Sequence, residues 1–115
     1  MKNIVILISG GGSNMAAIVR TAQRERWADT LGARVVAVIS NRPGAAGLGL
    51  ARELGVGAAE TLDHKAFDSR EAFDAALAER IDQHAPALVV LAGFMRILTP
   101  GFVAHYAGRL INIHP

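Results

Sequence analysis

The residues that could do chemistry lie near the two ends of the chain. Ser9–Asn14 reads SGGGSN and follows the apolar segment 4–8, while Asn112 and His114 lie in the last apolar segment. Glycines let a backbone approach an anion closely, and the exposed N–H groups of a first helical turn point at it. An amide beside an imidazole can stabilise a developing oxyanion and move a proton. If both ends open onto one crevice, they predict a group-transfer site.

The glycine-rich segment also has a plainer interpretation, a tight turn in which Ser13 or Asn14 caps the following helix. Three successive glycines exceed what a cap needs, which favours phosphate binding. A dinucleotide fingerprint would need Gly or Ala at Met15 and an acidic residue after the second strand, where Ser40-Asn41-Arg42 stands. NAD is therefore disfavoured, and Arg42 leaves an NADP variant open. A phosphorylated small substrate fits best.

Asn112 and His114 are two residues apart in a predicted strand, so both side chains leave the same face. Ile111 and Ile113 take the other face. Open α/β sheets bind their ligands at the carboxyl ends of the strands, which favours a catalytic pair at this position. The alternative is a histidine that is hydrogen-bonded to backbone at the edge of the sheet. The local residues leave both interpretations open.

The segment 91–98 reads LAGFMRIL and leaves the fourth predicted strand at the same edge. Its apolar residues could line a flat pocket for an aromatic ligand, with Arg96 reaching a carboxylate or phosphate. The alternative is a loop that buries Phe94 and Ile97 and leaves Arg96 solvated. Arg70 is most simply a solvated residue of a first helical turn, and a ligand role for it is a second interpretation.

Composition excludes several classes of protein. There is no cysteine, so disulfides and thiolate chemistry are excluded, and the net charge of +2 is spread along the chain rather than clustered as nucleic-acid binding requires. The first apolar run is too short for a signal peptide and no run approaches a membrane span, so we expect a cytoplasmic protein without membrane contact. His64, His84 and His105 lack partners at ligand spacing, and we expect no metal site.

Apolar strands alternate with segments of helical period along the chain. A capping box is predicted at Asp68 and Glu71, and Pro86 should end the helix that follows. The predicted strands are 4–8, 34–40, 56–61, 87–91 and 109–113, and the predicted helices begin near residues 14, 46, 69 and 100. This order predicts the α/β class, with a doubly wound, mostly parallel sheet and helices on both faces. Because the chain stops directly after a strand, we expect it to be truncated at its C-terminus.

In Ser9–Asn14, Phe67–Glu71, Leu91–Leu98 and Asn112–Pro115, the chain closely resembles the phosphoribosylglycinamide (GAR) formyltransferases. These are the folate-dependent transferases of purine biosynthesis, and the resemblance runs in order along essentially the whole chain. It implies the Rossmann-like formyltransferase fold, with residues 1–115 as the N-terminal portion of one formyltransferase domain. It also implies transfer of a formyl group from 10-formyltetrahydrofolate, as co-substrate, to the amine of GAR.

The resemblance implies a role for each matching residue. The substrate phosphate or ribose would be held by Gly12, Ser13 and Asn14. The folate side would be lined by Arg70, Met95, Arg96, Ile97, Leu98 and Asn112. Asn112 and His114 would be catalytic, stabilising the tetrahedral oxyanion while His114 relays a proton to the departing N10.

Members of the resembled family continue well past residue 115. The continuation carries a folate-gating loop, an Asp that pairs with the catalytic histidine and a Lys that helps hold the phosphate. Because His114 would lack the partner that keeps it charged, residues 1–115 alone are expected to be inactive. A monomer or a homodimer is expected.

Two other functions stay open. Formyltetrahydrofolate hydrolases share the Asn/His core but release formate. They normally carry an extra N-terminal regulatory domain, and Met1 leads directly into the first strand. The other is a nucleotide-binding, Rossmann-like module without chemistry of its own.

Overall fold

Five parallel strands form one sheet in the order β3-β2-β1-β4-β5. The computed structural model describes residues 1–113, so His114 and Pro115 lie outside the described residues. The strands are β1 Lys2–Ile8, β2 Ala33–Ser40, β3 Ala58–Thr61, β4 Pro86–Ala92 and β5 Leu110–Ile113. The helices are α1 Ser13–Arg24, α2 Trp27–Thr30, α3 Ala46–Glu53, α4 Arg70–Asp82 and α5 Pro100–His105, with one 3-10 turn at His64–Ala66.

The path of the chain creates a switch point beside the central strand. From β1 the chain moves outward through β2 to β3, then crosses back to β4 on the other side of β1 and continues to β5. The loops that follow β1 and β4 therefore leave neighbouring strands in opposite directions, which opens a crevice at the carboxyl edge of the sheet. The segments Ser9–Asn14 and Gly93–Leu98 both begin at this crevice.

Each face of the sheet has its own hydrophobic core. Ile4, Ile6 and Ile8 of β1 pack on one face with residues of α1 and α3. Val5 and Leu7 pack on the other face with residues of α4 and α5. A strand covered on both faces must be apolar at successive positions, which explains the unbroken run in β1. The predicted doubly wound sheet with helices on both faces is confirmed.

Helix α1 does not begin as the sequence predicts. Its N-cap is Gly12, in the left-handed region at φ 75°, and no side chain caps the helix. The carbonyl oxygen of Gly12 accepts the N–H of Ala16 at 2.8 Å. The expected Ser/Asn cap is therefore wrong, because a glycine reaches this backbone conformation at little cost. Ser13 and Asn14 are left as first-turn residues whose side chains do not serve the helix.

The N-cap of helix α4 also differs from the prediction, by one residue. Ser69 is the N-cap, and its hydroxyl accepts the N–H of Ala72 at 3.0 Å. Asp68 is therefore not the cap and Glu71 is not at the capping-box position. Two adjacent residues that are both good caps cannot be distinguished by spacing alone. The helix ends at Asp82, before Pro86 as predicted, and Ala85 has a positive φ of 48°.

The remaining elements lie where the sequence predicts them, within one or two residues. Helix α2 and the 3-10 turn His64–Ala66 are absent from the sequence prediction because four and three residues carry too little periodicity. Among residues 1–113, no helix combines the length and apolar character needed to cross a membrane.

A polar cluster joins α4 to the end of α5. The hydroxyl of Tyr106 lies 2.8 Å from Asp82 Oδ1 and 3.1 Å from the carbonyl oxygen of Ala78. His105 Nε2 lies 2.7 Å from Asp82 Oδ2. Burial raises the pKa of Asp82, but the hydrogen bonds from Tyr106 and His105 and the charges of His105 and Arg109 outweigh it and lower the pKa overall. Burial, together with Asp82, raises the pKa of Tyr106 well above its ordinary value.

We predict that Tyr106→Phe lowers the free energy of unfolding by about 1 kcal/mol, because the ring keeps its packing and only the hydroxyl is lost. Folding lowers the pKa of Asp82, so its ionised carboxylate contributes to the free energy of unfolding. This contribution is fully present above the pKa that Asp82 has in the unfolded chain, and it is lost as the pH falls through the lower pKa of the folded protein. The difference in the free energy of unfolding between wild type and Tyr106→Phe should therefore become smaller below about pH 4. Urea unfolding of both proteins across this pH range is the measurement, and an unchanged midpoint at neutral pH would contradict the prediction.

Candidate functional site

The glycine-rich loop forms one side of a cavity of about 380 Å³ at the switch point. The end of β4 forms the other side. The cavity is lined by Ser9, Gly10, Gly11, Gly12, Ser13, Asn14, Arg42, Ala92, Gly93 and Met95. Because Gly12 is the N-cap of α1 and lines this cavity, the N–H groups of the first turn lie beside it, an arrangement that suits an anion.

Gly47 of α3 holds the glycine loop from behind. Its N–H donates to the carbonyl oxygen of Gly10 at 3.0 Å. A Cβ added at Gly47 would lie 2.5 Å from Ile8 Cδ1 and 2.9 Å from the carbonyl oxygen of Gly10. A Cβ added at Gly12 would lie 3.0 Å from the Cα of Gly47. Two glycines therefore meet where the helix packs on the loop, and neither has room for a side chain.

A second cavity, of about 400 Å³, lies on the α4/α5 side of the same edge. Its walls are mainly apolar, and its polar groups are Arg96 and Asn112. It is lined by Leu91, Arg96, Ile97, Leu98, Val103, Leu110 and Asn112. Apolar walls with a few convergent polar groups are typical of a site for a largely apolar organic ligand.

The half-buried Arg96 side chain is held by an aromatic ring. Its guanidinium carbon lies 5.1 Å from the centroid of Phe73, which is fully buried in α4. This cation–π contact keeps the charge at the cavity while the side chain packs on the core. Phe94 packs against the core, as the loop interpretation expects, but Ile97 is 74% exposed and Arg96 is half-buried, so that interpretation is wrong for Ile97 and Arg96.

The segment Gly93–Leu98 lies between the two cavities. Its first part, with Met95, lines the glycine-loop cavity, and its last part lines the second cavity. Asn112 of β5 is paired in register with Leu91 of β4, just before this segment begins. The sequence predicts one shared crevice, whereas the described residues line two cavities at the same edge of the sheet.

Most of the predicted site residues line one of these cavities. Gly12, Ser13 and Asn14 line the first, and Arg96, Ile97, Leu98 and Asn112 line the second. The resemblance places Met95 on the folate side with Arg96, but Met95 lines the glycine-loop cavity. Arg70 is exposed at the start of α4 and lines neither cavity. His114 lies outside the described residues, so its catalytic role stays a prediction.

Three contributors to this edge were not identified from the sequence. Gly47 could have been identified because it is a glycine inside a predicted helix, and such a glycine often marks a close approach of another backbone segment. Arg42 was weighed only as a nucleotide contact, yet it lines the glycine-loop cavity. Asn41 looked like an ordinary turn residue but is buried, and its amide oxygen accepts from the hydroxyl of Ser9.

The charges at the two cavities favour anionic ligands. Among the described residues, the linings include Arg42 and Arg96 and contain no acidic side chain. Residues 1–113 contain no group of three or more His, Cys, Asp or Glu side chains that could hold a metal ion. Larger grooves of about 460 and 490 Å³ lie between α1, α2 and β2 and between α4 and α5. Neither lies at the switch point, so size alone does not select the site.

A family profile described as "Formyl transferase" matches residues 2–115. The chain belongs to the formyl transferase family. It is 56% identical over 113 residues to the phosphoribosylglycinamide formyltransferase of Escherichia coli, covering 98% of this chain and 51% of the relative. It is 45% identical over 114 residues to the trifunctional purine biosynthetic protein adenosine-3 of Drosophila melanogaster, covering 99% of this chain and 8% of that protein.

Solved structures agree with this assignment. Glycinamide ribonucleotide transformylase 1 from Symbiobacterium toebii superposes with a TM-score of 0.89 at 43% identity, over 100% of this chain and 52% of that one. The phosphoribosylglycinamide formyltransferase of Coxiella burnetii, in complex with CHES, superposes with a TM-score of 0.88 at 45% identity, over 99% of this chain and 51% of that one. The chain thus spans about half the length of these bacterial relatives.

The close approach of α3 to the glycine loop generates a prediction with a matched control. Gly47→Ala should lower the free energy of unfolding by about 1–3 kcal/mol, because the new Cβ must displace Ile8 or the backbone of Gly10. Gly49→Ala lies in the same helix with open space around it, and it should raise the free energy of unfolding by about 0.5–1 kcal/mol. Urea unfolding of both variants is the measurement, and equal effects would show that the packing does not constrain position 47.

Proposed function

We propose that the full-length protein carrying this chain transfers a formyl group from 10-formyltetrahydrofolate to the amine of GAR, a step of de novo purine biosynthesis. The observation that carries the proposal is the pair of cavities on either side of the segment Gly93–Leu98, in a chain of the formyl transferase family. One cavity has the chemistry of a phosphate cradle and the other that of a pocket for an aromatic ligand. The identity to phosphoribosylglycinamide formyltransferases supports the choice of both substrates.

The proposed cradle binds the phosphate or ribose of GAR through Gly12, Ser13 and Asn14. The support for this assignment is the backbone geometry of the loop. Gly12 is the N-cap of α1, and no side chain caps the helix. The side chains of Ser13 and Asn14 therefore remain available as donors beside the N–H groups of the first turn. Such donors bind an anion without the desolvation cost of burying a fixed charge.

The proposed donor pocket binds the folate. Its apolar walls suit a flat heterocycle, and its polar groups suit the charged and hydrogen-bonding parts of the same molecule. We assign its contacts to Arg96, Ile97, Leu98 and Asn112, which line this cavity, and we propose that the bound folate also reaches Met95 and Arg70, which lie outside its lining. The cation–π contact with Phe73 supports Arg96 as the residue that receives a carboxylate, because its guanidinium is held in place before the ligand arrives.

In the proposed reaction the GAR amine attacks the formyl carbon of the donor. A carbon–nitrogen bond forms to the amine and the bond from the formyl carbon to N10 breaks, while the amine loses one proton and N10 gains one. We propose that the amide of Asn112 donates to the formyl oxygen as negative charge develops there. His114 is proposed to stabilise the same oxygen as an imidazolium and to relay the proton to N10.

The proposal extends to organisation and location. Residues 1–115 would form the N-terminal portion of a single formyltransferase domain, since the chain spans about half of its bacterial relatives. The substrates would be small molecules, used by a monomer or homodimer in the cytoplasm. The catalysis would then draw on residues beyond the described ones.

The proposal is tested by incubating the full-length protein with 10-formyltetrahydrofolate in the presence and absence of GAR. We expect tetrahydrofolate to form only when GAR is present, with one formyl-GAR per folate released. Formate release without GAR would identify a hydrolase instead. Tight binding of NADP with no binding of GAR would replace the proposal by a nucleotide-binding module.

We further predict that His114→Ala lowers kcat by at least about 100-fold while the Kd for GAR changes by less than about threefold. General acid–base catalysis contributes about 10²–10⁴-fold, and the histidine is proposed to act in the transition state. Steady-state kinetics and calorimetric titration with GAR are the measurements. Turnover within a few-fold of wild type would remove His114 from the mechanism.

A further inference from the structure

Ser9 is a buried hydroxyl at the point where β1 ends and the glycine loop begins. It is 2% exposed, and both sides of its hydrogen-bonding capacity are used. Its Oγ donates to Asn41 Oδ1 at 2.5 Å and accepts the N–H of Met95 at 2.8 Å. One side chain therefore joins the loops that follow β1, β2 and β4. A buried hydroxyl satisfied on both sides is costly to disturb, because each lost bond leaves a desolvated partner.

The donor and acceptor roles at Ser9 are set by Asn41. Asn41 is also 2% exposed, and its backbone N–H donates to the carbonyl oxygen of Ile8 at 3.4 Å. Its amide oxygen faces Ser9, and its side-chain nitrogen lies 3.2 Å from His64 Nδ1. The proton of Ser9 is thereby committed to Asn41, which leaves a lone pair directed at the N–H of Met95.

The bond to Met95 holds the segment between the two cavities. Met95 has a side chain that is 74% exposed, so packing does little to hold this residue. The next residues along the chain, Arg96 to Leu98, line the second cavity. The N–H of Met95 is thus the point at which the wall of the second cavity is attached to the base of the glycine loop.

We infer that Ser9 is a positioning residue that sets the separation between the two cavities by holding the backbone of Met95. The consequence for turnover rests on the proposed function, because a formyl group passes only between ligands held at reacting distance. A displacement of about 1 Å can cost about 100-fold in rate without removing any contact to either ligand. Ser9 lines the first cavity, but its hydrogen bonds go to Asn41 and Met95, so we infer that it acts through the backbone of Met95.

The test compares Ser9→Ala with wild type in the full-length protein. We expect kcat to fall by about tenfold or more, while the KM for GAR and for the folate each change by less than about threefold. If the hydroxyl of Ser9 were only structural, Ser9→Ala would instead lower the free energy of unfolding and leave kcat per folded molecule unchanged. The matched control is Tyr106→Phe, which also removes a hydroxyl bonded to two partners but lies outside both cavities. Its kcat should equal that of wild type.

Hydrogen exchange tests the same link without any activity. In the wild-type protein the amide of Met95 should exchange at least about tenfold more slowly than that of Gly93, because it is bonded to a buried acceptor. In Ser9→Ala this protection should disappear. Rapid exchange at Met95 in wild type would overturn the inference even if the variant failed to fold.

The outcomes separate the two proposals. If wild type transfers no formyl group, the proposed function fails, and exchange at Met95 still decides whether Ser9 holds the segment. If wild type is active and Ser9→Ala keeps kcat within about twofold, the function stands and the positioning role of Ser9 is wrong.

Discussion

The central strand β1 is buried on both faces from Ile4 to Ile8, and it therefore presents polar side chains only at its two ends. The position of the site follows from this burial. From Val5 to Ile8 every side chain is fully buried, so neither face of the sheet can hold a ligand near the middle of the strand. The first polar residue after this run is Ser9, at the carboxyl edge beside the switch point. Chemistry is concentrated at this edge because the rest of the strand is occupied by two hydrophobic cores.

The two cavities differ because different parts of the fold build them. The glycine-loop cavity is made of backbone, and its shape depends on Gly12 and Gly47 meeting without side chains. The second cavity is made of apolar side chains from β4, α5 and β5, with Arg96 held over Phe73. A cradle of N–H groups suits a compact anion, whereas an apolar wall with one fixed cation suits a flat ligand that carries an acidic group. The proposed transfer uses this difference, since GAR is assigned to the glycine-loop cavity and the folate to the second cavity.

The elements that are predicted correctly carry a signal spread over many residues, whereas those that are predicted wrongly depend on one or two residues. The strands and the longer helices are predicted by periodicity over whole segments, and the doubly wound sheet follows from their order. The start of α1 was predicted at a Ser/Asn cap and is set instead by the backbone of Gly12. The start of α4 was assigned to Asp68 rather than its neighbour Ser69. In each case adjacent residues have similar capping propensities, so the spacing of residue types does not choose between them.

The α/β class, the order of strands along the chain, the family resemblance and the residues available for chemistry all follow from the amino-acid sequence alone. These depend on apolar patterning and local motifs, which are properties of neighbouring residues. The folded chain alone shows that Gly47 packs on the glycine loop and that Met95 lines the first cavity rather than the second. It also shows that the hydroxyl of Ser9 joins three strand ends. Those contacts join residues 32 to 86 positions apart, and no local pattern encodes a distance between two segments that meet only when the sheet has formed.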